Sequence, residues 1–531
     1  MSRRVQTWAA VTVTTLAAGM ILSACGGSDP EITTGDSGAK SGEPVKKDIS
    51  IILSHAGNAY AQEEYKGKDD PYVKEMSRLS GYNLNVEILN HGDAYAQQLT
   101  VRFASGELAD LVRTDSINST IHPGALEQGA FTDLGPLIDK YGPNLKKSIP
   151  KEAWESSKVS KDGKIFGIPA MTAMTNSRVV MIRQDWLDKL NMKTPVTVDD
   201  YLAFFEAVKN NDMDGNGKKD EYGFYVRENL QFSDLFFNAV GVNPDLWQMK
   251  NGQMTPGIIM PEIKEAIKFW KMLYDKGYVN PDMFTKKATD WSADIKKGKG
   301  GLWAHEVPNY TTGYLAAQFP TQPGAKVSMI APPKGPKGSG LVGKNDGIYF
   351  VWVIPSKTKN PEEVIKFLNW AWSDEVENFL SFGVKGSNYT EENGQVKYDS
   401  ELPINKNKNA FSFHRLILNP RGDGRMLTKI VDAGPEPDKV KAAMKLAEST
   451  AVDHASLNMP ILEAFKTRPE INIMPGPLAG GTLFLDMFAK VVTGKEELDP
   501  AFDKFVAEWK KRGGDEAMKE ATAWYNKTNK K

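Results

Sequence analysis

Two periodicities alternate along the chain. The stretch D-I-S-I-I-L (48–53) is short and apolar, as a buried strand is, and Leu84, Val86 and Ile88 alternate at period two in a second strand. Between them Pro71 stands at a helix start, with Val73, Met76 and Leu79 at helical spacing. Strand and helix then recur: residues 109–113 and 178–182 have strand character, and Asp185 is placed to cap the helix W-L-D-K-L. Asn360 is placed to cap a helix with Pro361 at its first position and Val364, Phe367, Leu368 and Ala371 on one face. Ile263, Ile267 and Trp270 line another helix, closed by Gly277. Phe502, Phe505, Val506 and Trp509 line a third, stopped by Gly513-Gly514. Single strands alternating with helices predict an α/β fold with largely parallel sheets. About 480 residues follow the N-terminal segment, enough for two cores, with a ligand at the carboxyl ends of the strands between them.

The ends of the chain set the compartment. Arg3 and Arg4 precede an uncharged run from Trp8 to Leu22, which is short and rich in Thr and Ala for a membrane span. The run ends in L-S-A-C-G-G, which resembles the lipobox of bacterial lipoproteins, with Cys25 as the lipidated first residue of the mature chain. Residues 1–24 are then a lipoprotein signal peptide, and residues 25–47, rich in Gly, Ser, Asp and Lys, a flexible tether. Cys25 is the one cysteine in 531 residues, which rules out disulfides and thiolate metal sites. A formal charge of −1 gives no basic face for nucleic acid. The expected location is the extracellular face of the cell membrane, held by lipid only.

The segment N-D-M-D-G-N-G-K-K-D-E, ending at Glu221, has the first half of a calcium loop. Asp212, Asp214, Asn216 and Gly217 follow D-x-[DN]-x-[DN]-G, with the Lys218 carbonyl turned to the ion. Gly223 stands where an EF-hand has its closing glutamate, and Asp220 and Glu221 arrive two positions early. Four carboxylates so close repel by roughly a kcal/mol per pair even when solvated, a penalty that a dication removes. Thr197 starts a helix before the loop, with Leu202, Phe205 and Val208 toward a core, and a strand E-Y-G-F-Y-V follows it. With no second helix to swing open, the expected Ca2+ is structural.

Catalytic motifs are lacking. H-E-x-x-H, G-x-S-x-G and the Walker loop are absent, and six histidines lie scattered without metal-ligand spacing. R-G-D at 421–423 is a tripeptide that chance supplies often. The expectation is a binding protein and not an enzyme. A lipid-anchored polysaccharide hydrolase or lyase, and a binding protein for peptides or another solute, stay open as alternatives.

Several phrases carry a family resemblance: F-T-D-L-G-P-L-I-D-K-Y-G-P-N (131–144), D-G-K-I-F-G-I-P (162–169), R-Q-D-W-L-D-K-L (183–190), P-P-K-G-P-K-G (332–338) and G-K-E-E-L-D-P-A-F-D-K-F-V (494–506). Together they resemble the extracellular solute-binding lipoproteins of bacterial oligosaccharide ABC importers, in the large branch that includes alginate-oligosaccharide-binding proteins. That resemblance implies an α/β, two-lobe periplasmic-binding-protein (type II) clamshell with hinge crossovers near 170–176 and 332–342. Lobe 1 would comprise 48–172 and a return segment 336–400. Lobe 2 would comprise 173–335, including the loop 212–221, and then 401–531 with the C-terminal helices. The implied partners are an oligosaccharide and the permease subunits of an ABC transporter, served by a monomer. Sugar rings stack on aromatics and their hydroxyls bond to polar side chains, so the candidates are those at strand ends and crossovers. They are Asn58, Tyr60, Asp115, Arg178, Trp291, Trp303, His305, Glu306, Tyr349 and Trp352.

Overall fold

The computed structural model describes residues 47–529, apart from 57, 316–317, 341, 400, 407–412, 416, 418–423 and 473–481. The expected signal peptide, Cys25, nearly all of the tether and the R-G-D tripeptide lie outside the described residues. Among those described, no helix is long and apolar enough to cross a membrane.

Nine strands build two sheets. The first orders as β2-β1-β3-β9-β4, where β1 is Asp48–Ser54, β2 Asn83–Leu89, β3 Leu111–Thr114, β4 Gly167–Met171 and β9 Ile348–Val353. The second orders as β8-β5-β7-β6, where β5 is Arg178–Arg183, β6 Tyr222–Phe224, β7 Gly300–Glu306 and β8 Val327–Ile330. Both sheets are mixed, which corrects the expectation of largely parallel pairing. β1 runs parallel to β2 and β3, but β9 is antiparallel to both β3 and β4. β5 is antiparallel to β7 and β8, while β7 is parallel to β6. The reason lies in the connections. The right-handed βαβ rule binds successive strands of one sheet, whereas β4 leads straight into β5 of the other sheet and β9 arrives from β8.

Packing follows the two sheets. One core joins residues between Ile49 and Met171 to residues between Ile348 and Met426. Phe413, Ile417 and Met426 belong to it, so the first core runs further along the chain than residue 400. The second sheet is covered on both faces. Along β5, Val180 and Ile182 face one cluster, shared with the C-terminal helices, while Val179 and Met181 face another, shared with the helix Pro437–Ser449. Each such fully buried aliphatic side chain contributes about 1.5–3 kcal/mol.

Local signals position these elements. Asp70 accepts a hydrogen bond from the Tyr72 amide at the start of the helix Pro71–Ser80 (2.9 Å), and Gly81, at φ 77°, ends it. Thr197 and Asp200 form a reciprocal capping box on the helix Val198–Asn210. Two expected boundaries differ. Asp185 sits inside the first turn of the helix Gln184–Lys189, where it pairs with Arg183 at 2.6 Å, because the helix begins one residue earlier. Gly513-Gly514 does not stop the helix Leu498–Trp509; a widened turn, with Gly513 at φ 122°, carries the chain into Asp515–Thr528. The Trp509 ring fills the space beside Gly514, so a Cβ there would come within 2.1 Å of it.

Candidate functional site

The crossovers define which strand ends meet. β4 ends at Met171 and β5 begins at Arg178, while the stretch before Ile348 returns to the first sheet. These passages lie side by side: the Thr172 amide donates to the Gly347 carbonyl (2.8 Å) and the Asn345 amide to the Thr175 carbonyl (2.9 Å). The edges beside them are the C-terminal ends of β1, β2, β3, β6 and β7 and the start of β5 and β9. In register, Arg178 opposes Glu306, and Ile348 opposes Met171.

The second-sheet edge is aromatic and charged. Arg178 pairs with Asp234 at 2.6 Å, and its guanidinium carbon lies 5.5 Å from the Phe232 ring centre. Arg227 lies 5.2 Å from Phe232 and 5.3 Å from Trp291. The His305 ring centre is 4.6 Å from Phe232, 5.8 Å from Trp291 and 6.0 Å from Tyr314. The turn that presents Phe232 is strained: Asn229, Leu230 and Phe232 hold φ of 60°, 53° and 62°, a region that bulky L-residues avoid. No glycine relieves it.

Electrostatics set the protonation of this edge. Burial, then the Arg227 and Arg178 charges, depress His305 to about 3, so its imidazole is neutral at physiological pH. The Asp234 carboxylate holds Arg178 above its usual range. Burial raises Glu306. Solvent reaches Asp245, yet desolvation and then the Asp234 charge push its pKa up to about 6.

The first-sheet edge is smaller. Tyr349 is 56% exposed, and the Arg113 guanidinium lies 5.4 Å from its ring and 4.0 Å from that of Phe350. His55 and His91 face each other at 5.9 Å, both depressed mainly by burial. Asp115 is half-buried, just beyond β3.

Six of the predicted residues are therefore brought to these edges: Asp115, Arg178, Trp291, His305, Glu306 and Tyr349. Trp291 contributes as a wall, since it is buried and its indole N–H donates to the Tyr225 carbonyl at 3.0 Å. The other four need correction. Trp303 and Trp352 are both 0% exposed. Trp303 faces inward against Tyr314 (5.0 Å), and Trp352 packs on Phe350 (5.2 Å). The interiors of β7 and β9 are covered on both faces, so only residues at their crossover ends, His305, Glu306 and Tyr349, can reach a sugar. Tyr60 turns into the first core, donating to Asp70 at 2.6 Å. Asn58 is buried, and its side-chain oxygen caps the helix Ala59–Glu63 through the Ala61 amide. Arg113, Arg227, Phe232, Asp234 and Asp245 were missed. The two arginines could have been found as charged residues at or just beyond strand ends; the strained turn has no sequence signature.

The loop 212–221 forms a second centre. Carboxylate oxygens of Asp212, Asp214 and Glu221 lie within 4.8 Å of one another. Asp212 accepts from the Gly215, Asn216 and Gly217 amides, which hold its pKa low, the Gly217 bond foremost. Glu221 is 3% exposed and accepts from the Met213 and Asp214 amides through one oxygen. Its other oxygen is buried without a hydrogen-bond partner among the described residues. That orphaned acceptor and the two facing carboxylates fit a hard dication. Asp220 is drawn aside to Lys299 at 2.5 Å, and the Asn216 amide nitrogen donates to Asp214 and Asp220. The Lys218 amide donates to the Asn216 side-chain oxygen at 2.8 Å. Gly223 replaces an EF-hand glutamate for a packing reason: a Cβ there would stand 2.5 Å from that of Phe205 on the preceding helix.

Comparison with known proteins agrees with this architecture. Residues 63–378 match the profile described as bacterial extracellular solute-binding protein. The polygalacturonan/rhamnogalacturonan-binding protein YtcQ of Bacillus subtilis (strain 168) is 27% identical over 427 residues, 77% of this chain and 81% of YtcQ. The alginate-binding protein AlgQ2, solved without calcium ion, superposes with a TM-score of 0.68 at 21% identity, covering 90% of this chain and 98% of AlgQ2. An EF-hand mutant of the S. pneumoniae ABC-transporter substrate-binding protein FusA, in complex with fructo-nystose, gives 0.67 at 19% identity, covering 91% and 99%. At such identities the two structures speak for the two-lobe α/β fold.

Proposed function

Because the chain belongs to the bacterial extracellular solute-binding protein family, we propose that it captures an oligosaccharide between its two lobes and delivers it to the permease of an ABC importer. Cys25 anchors it by lipid to the outer face of the cell membrane, and it works as a monomer without chemistry of its own. Ca2+ in the loop 212–221 is structural, held by Asp212, Asp214 and Glu221, with Asn216, the Lys218 carbonyl and Asp220 beside them.

One observation carries the reading. Phe232, Trp291 and Tyr349 gather at opposed strand edges with Arg178, His305 and Glu306, which is the mixture of ring faces and hydroxyl partners that a sugar requires. Neutral His305 accepts the Glu306 amide at Nδ1 (2.7 Å), which leaves its Nε2–H as a donor for a hydroxyl. The Arg178–Asp234 pair offers a fixed donor and an unused carboxylate oxygen. Sugar that touches both edges favours the closed arrangement by its differential affinity, and the permease reads that closure. The names of YtcQ and FusA, sugar-binding relatives, support the ligand class.

Calorimetry of residues 48–531 with calcium, against acidic and neutral oligosaccharides, tests this. Micromolar or tighter binding with the sugar recovered intact is expected. Recovery of cleaved sugar would instead make the protein an anchored hydrolase or lyase, and binding confined to peptides would move it to another solute.

A further inference from the structure

Three arginines stand at the opposed edges, and they differ in their company. Arg178 is neutralised by Asp234. Arg113 and Arg227 make no ion pair among the described residues, and one guanidinium nitrogen of each, Nη1 of Arg113 and Nε of Arg227, is buried with no hydrogen-bond partner there. Each lies instead over aromatic rings, Arg113 on Phe350 and Tyr349, Arg227 on Phe232 and Trp291. A ring face steadies a guanidinium from one side and leaves its in-plane N–H fork unused.

The two forks serve one space. Arg113 belongs to β3 of the first sheet, and Arg227 lies just beyond β6 of the second. His91, at the end of β2, is depressed by burial and then by the charges of His55, Arg113 and Arg227, so both arginines are within electrostatic reach of a single imidazole. Asp234 and Asp245 gather around Arg178, and Glu306 lies within electrostatic reach of both Arg178 and Arg227, but none of these acids forms an ion pair with Arg113 or Arg227 among the described residues. A neutral sugar would leave both guanidinium groups partly dry and without an ion pair, an arrangement that charge burial disfavours. A carboxylate satisfies both.

We propose that Arg113 and Arg227 form a two-sided carboxylate clamp and that the captured oligosaccharide is therefore an acidic one, built from uronate units. The carboxylate takes the in-plane donors of the guanidinium forks, and neighbouring rings lie against Tyr349 and Phe232. The clamp rests on the oligosaccharide reading above. It adds the ligand's charge and the two residues that select it.

The test compares trigalacturonate, its fully methyl-esterified form and neutral kestose by titration calorimetry on calcium-loaded residues 48–531. Trigalacturonate is expected to bind about thirtyfold or more tighter than its ester, which lacks only the charge. Arg113→Gln and Arg227→Gln should each weaken the acid about ten- to a hundredfold and the ester by less than about threefold. Added salt should weaken the acid alone. Arg227→Lys, which keeps the charge and loses the fork, should restore part of the affinity; if Arg113→Gln fails to fold, Arg113→Lys must show the same partial loss. Equal binding of acid and ester, equal losses for both in the variants, or binding of kestose only would overturn the clamp and leave the sugar reading standing. Silence from all three sugars would overturn both.

Discussion

The loop 212–221 and the edges that face each other across the crossovers are both collections of polar groups, but they are assembled in opposite ways. The loop draws its carboxylates from ten consecutive residues, and its own amides hold Asp212 and Glu221 in place. The edges draw Arg113, Arg178, Arg227, Phe232, Trp291, His305 and Tyr349 from distant parts of the chain, and what holds them is the packing behind. A local site survives damage to a distant core. An assembled site does not, and so it can be weakened from behind without touching a ligand contact.

The strongest way to break this comparison is to remove the packing behind the edge. Trp303→Ala empties the space behind Tyr314 and is expected to cost about 3–5 kcal/mol of stability. Sugar affinity should fall with it, while the rise in melting temperature on adding calcium stays. An unchanged affinity in calorimetry would mean that the edge stands without its core. The next largest effect belongs to the ion: with calcium at about a hundred times its Kd, chelation should lower Tm by about 3 °C. The Kd for sugar, measured well below the melt, should barely move. A melt indifferent to chelator would reduce the loop to a solvated turn.

Smaller effects sharpen the contrast. Asp245 has a pKa of about 6 in the folded protein against the ordinary aspartate value of 3.8, so between these values the folded state keeps a proton that the unfolded state has lost. Stability attributable to this group falls as pH rises from about 4 to about 6 and stays lowered above. Asp245→Asn should therefore raise Tm at pH 7 and leave it unchanged at pH 4; melting curves at the two pH values decide it. Least disruptive to the fold is Tyr349→Ala, at an exposed ring. It should weaken sugar binding about three- to tenfold with Tm nearly unchanged. A large drop in Tm would show that the ring supports the first core.

The same contrast governs what the sequence discloses. The capping box at Thr197, the proline at 71, the alternation in β2 and three of the four acids of the loop are contiguous signals, and the structure has each where the spacing puts it, while Asp220 turns aside to Lys299. The strand tryptophans failed for a definite reason. Alternation separates the two faces of a strand, but the interiors of β7 and β9 are covered on both, so only their crossover ends are open. Phe232 escaped notice because a strained turn without glycine presents it, and Asp245 because the charges that act on it, Asp234 and Arg178, belong to other elements. The exposed Tyr349 and the paired Arg178 were found because they begin or nearly begin strands beside a crossover.

The strand order also carries a message about synthesis. β9 lies between β3 and β4, so the first sheet cannot close until residue 353 exists, although its other four strands are complete by residue 171. The second sheet is drawn entirely from residues 178–330 and can pair as soon as that segment is free. Until then β3 and β4 present unpaired edges to whatever surrounds the nascent chain, the kind of edge that invites wrong partners. The half of the molecule made first is thus the half whose sheet is finished last, and the waiting interval is about 180 residues of translation, some ten to forty seconds at ordinary elongation rates.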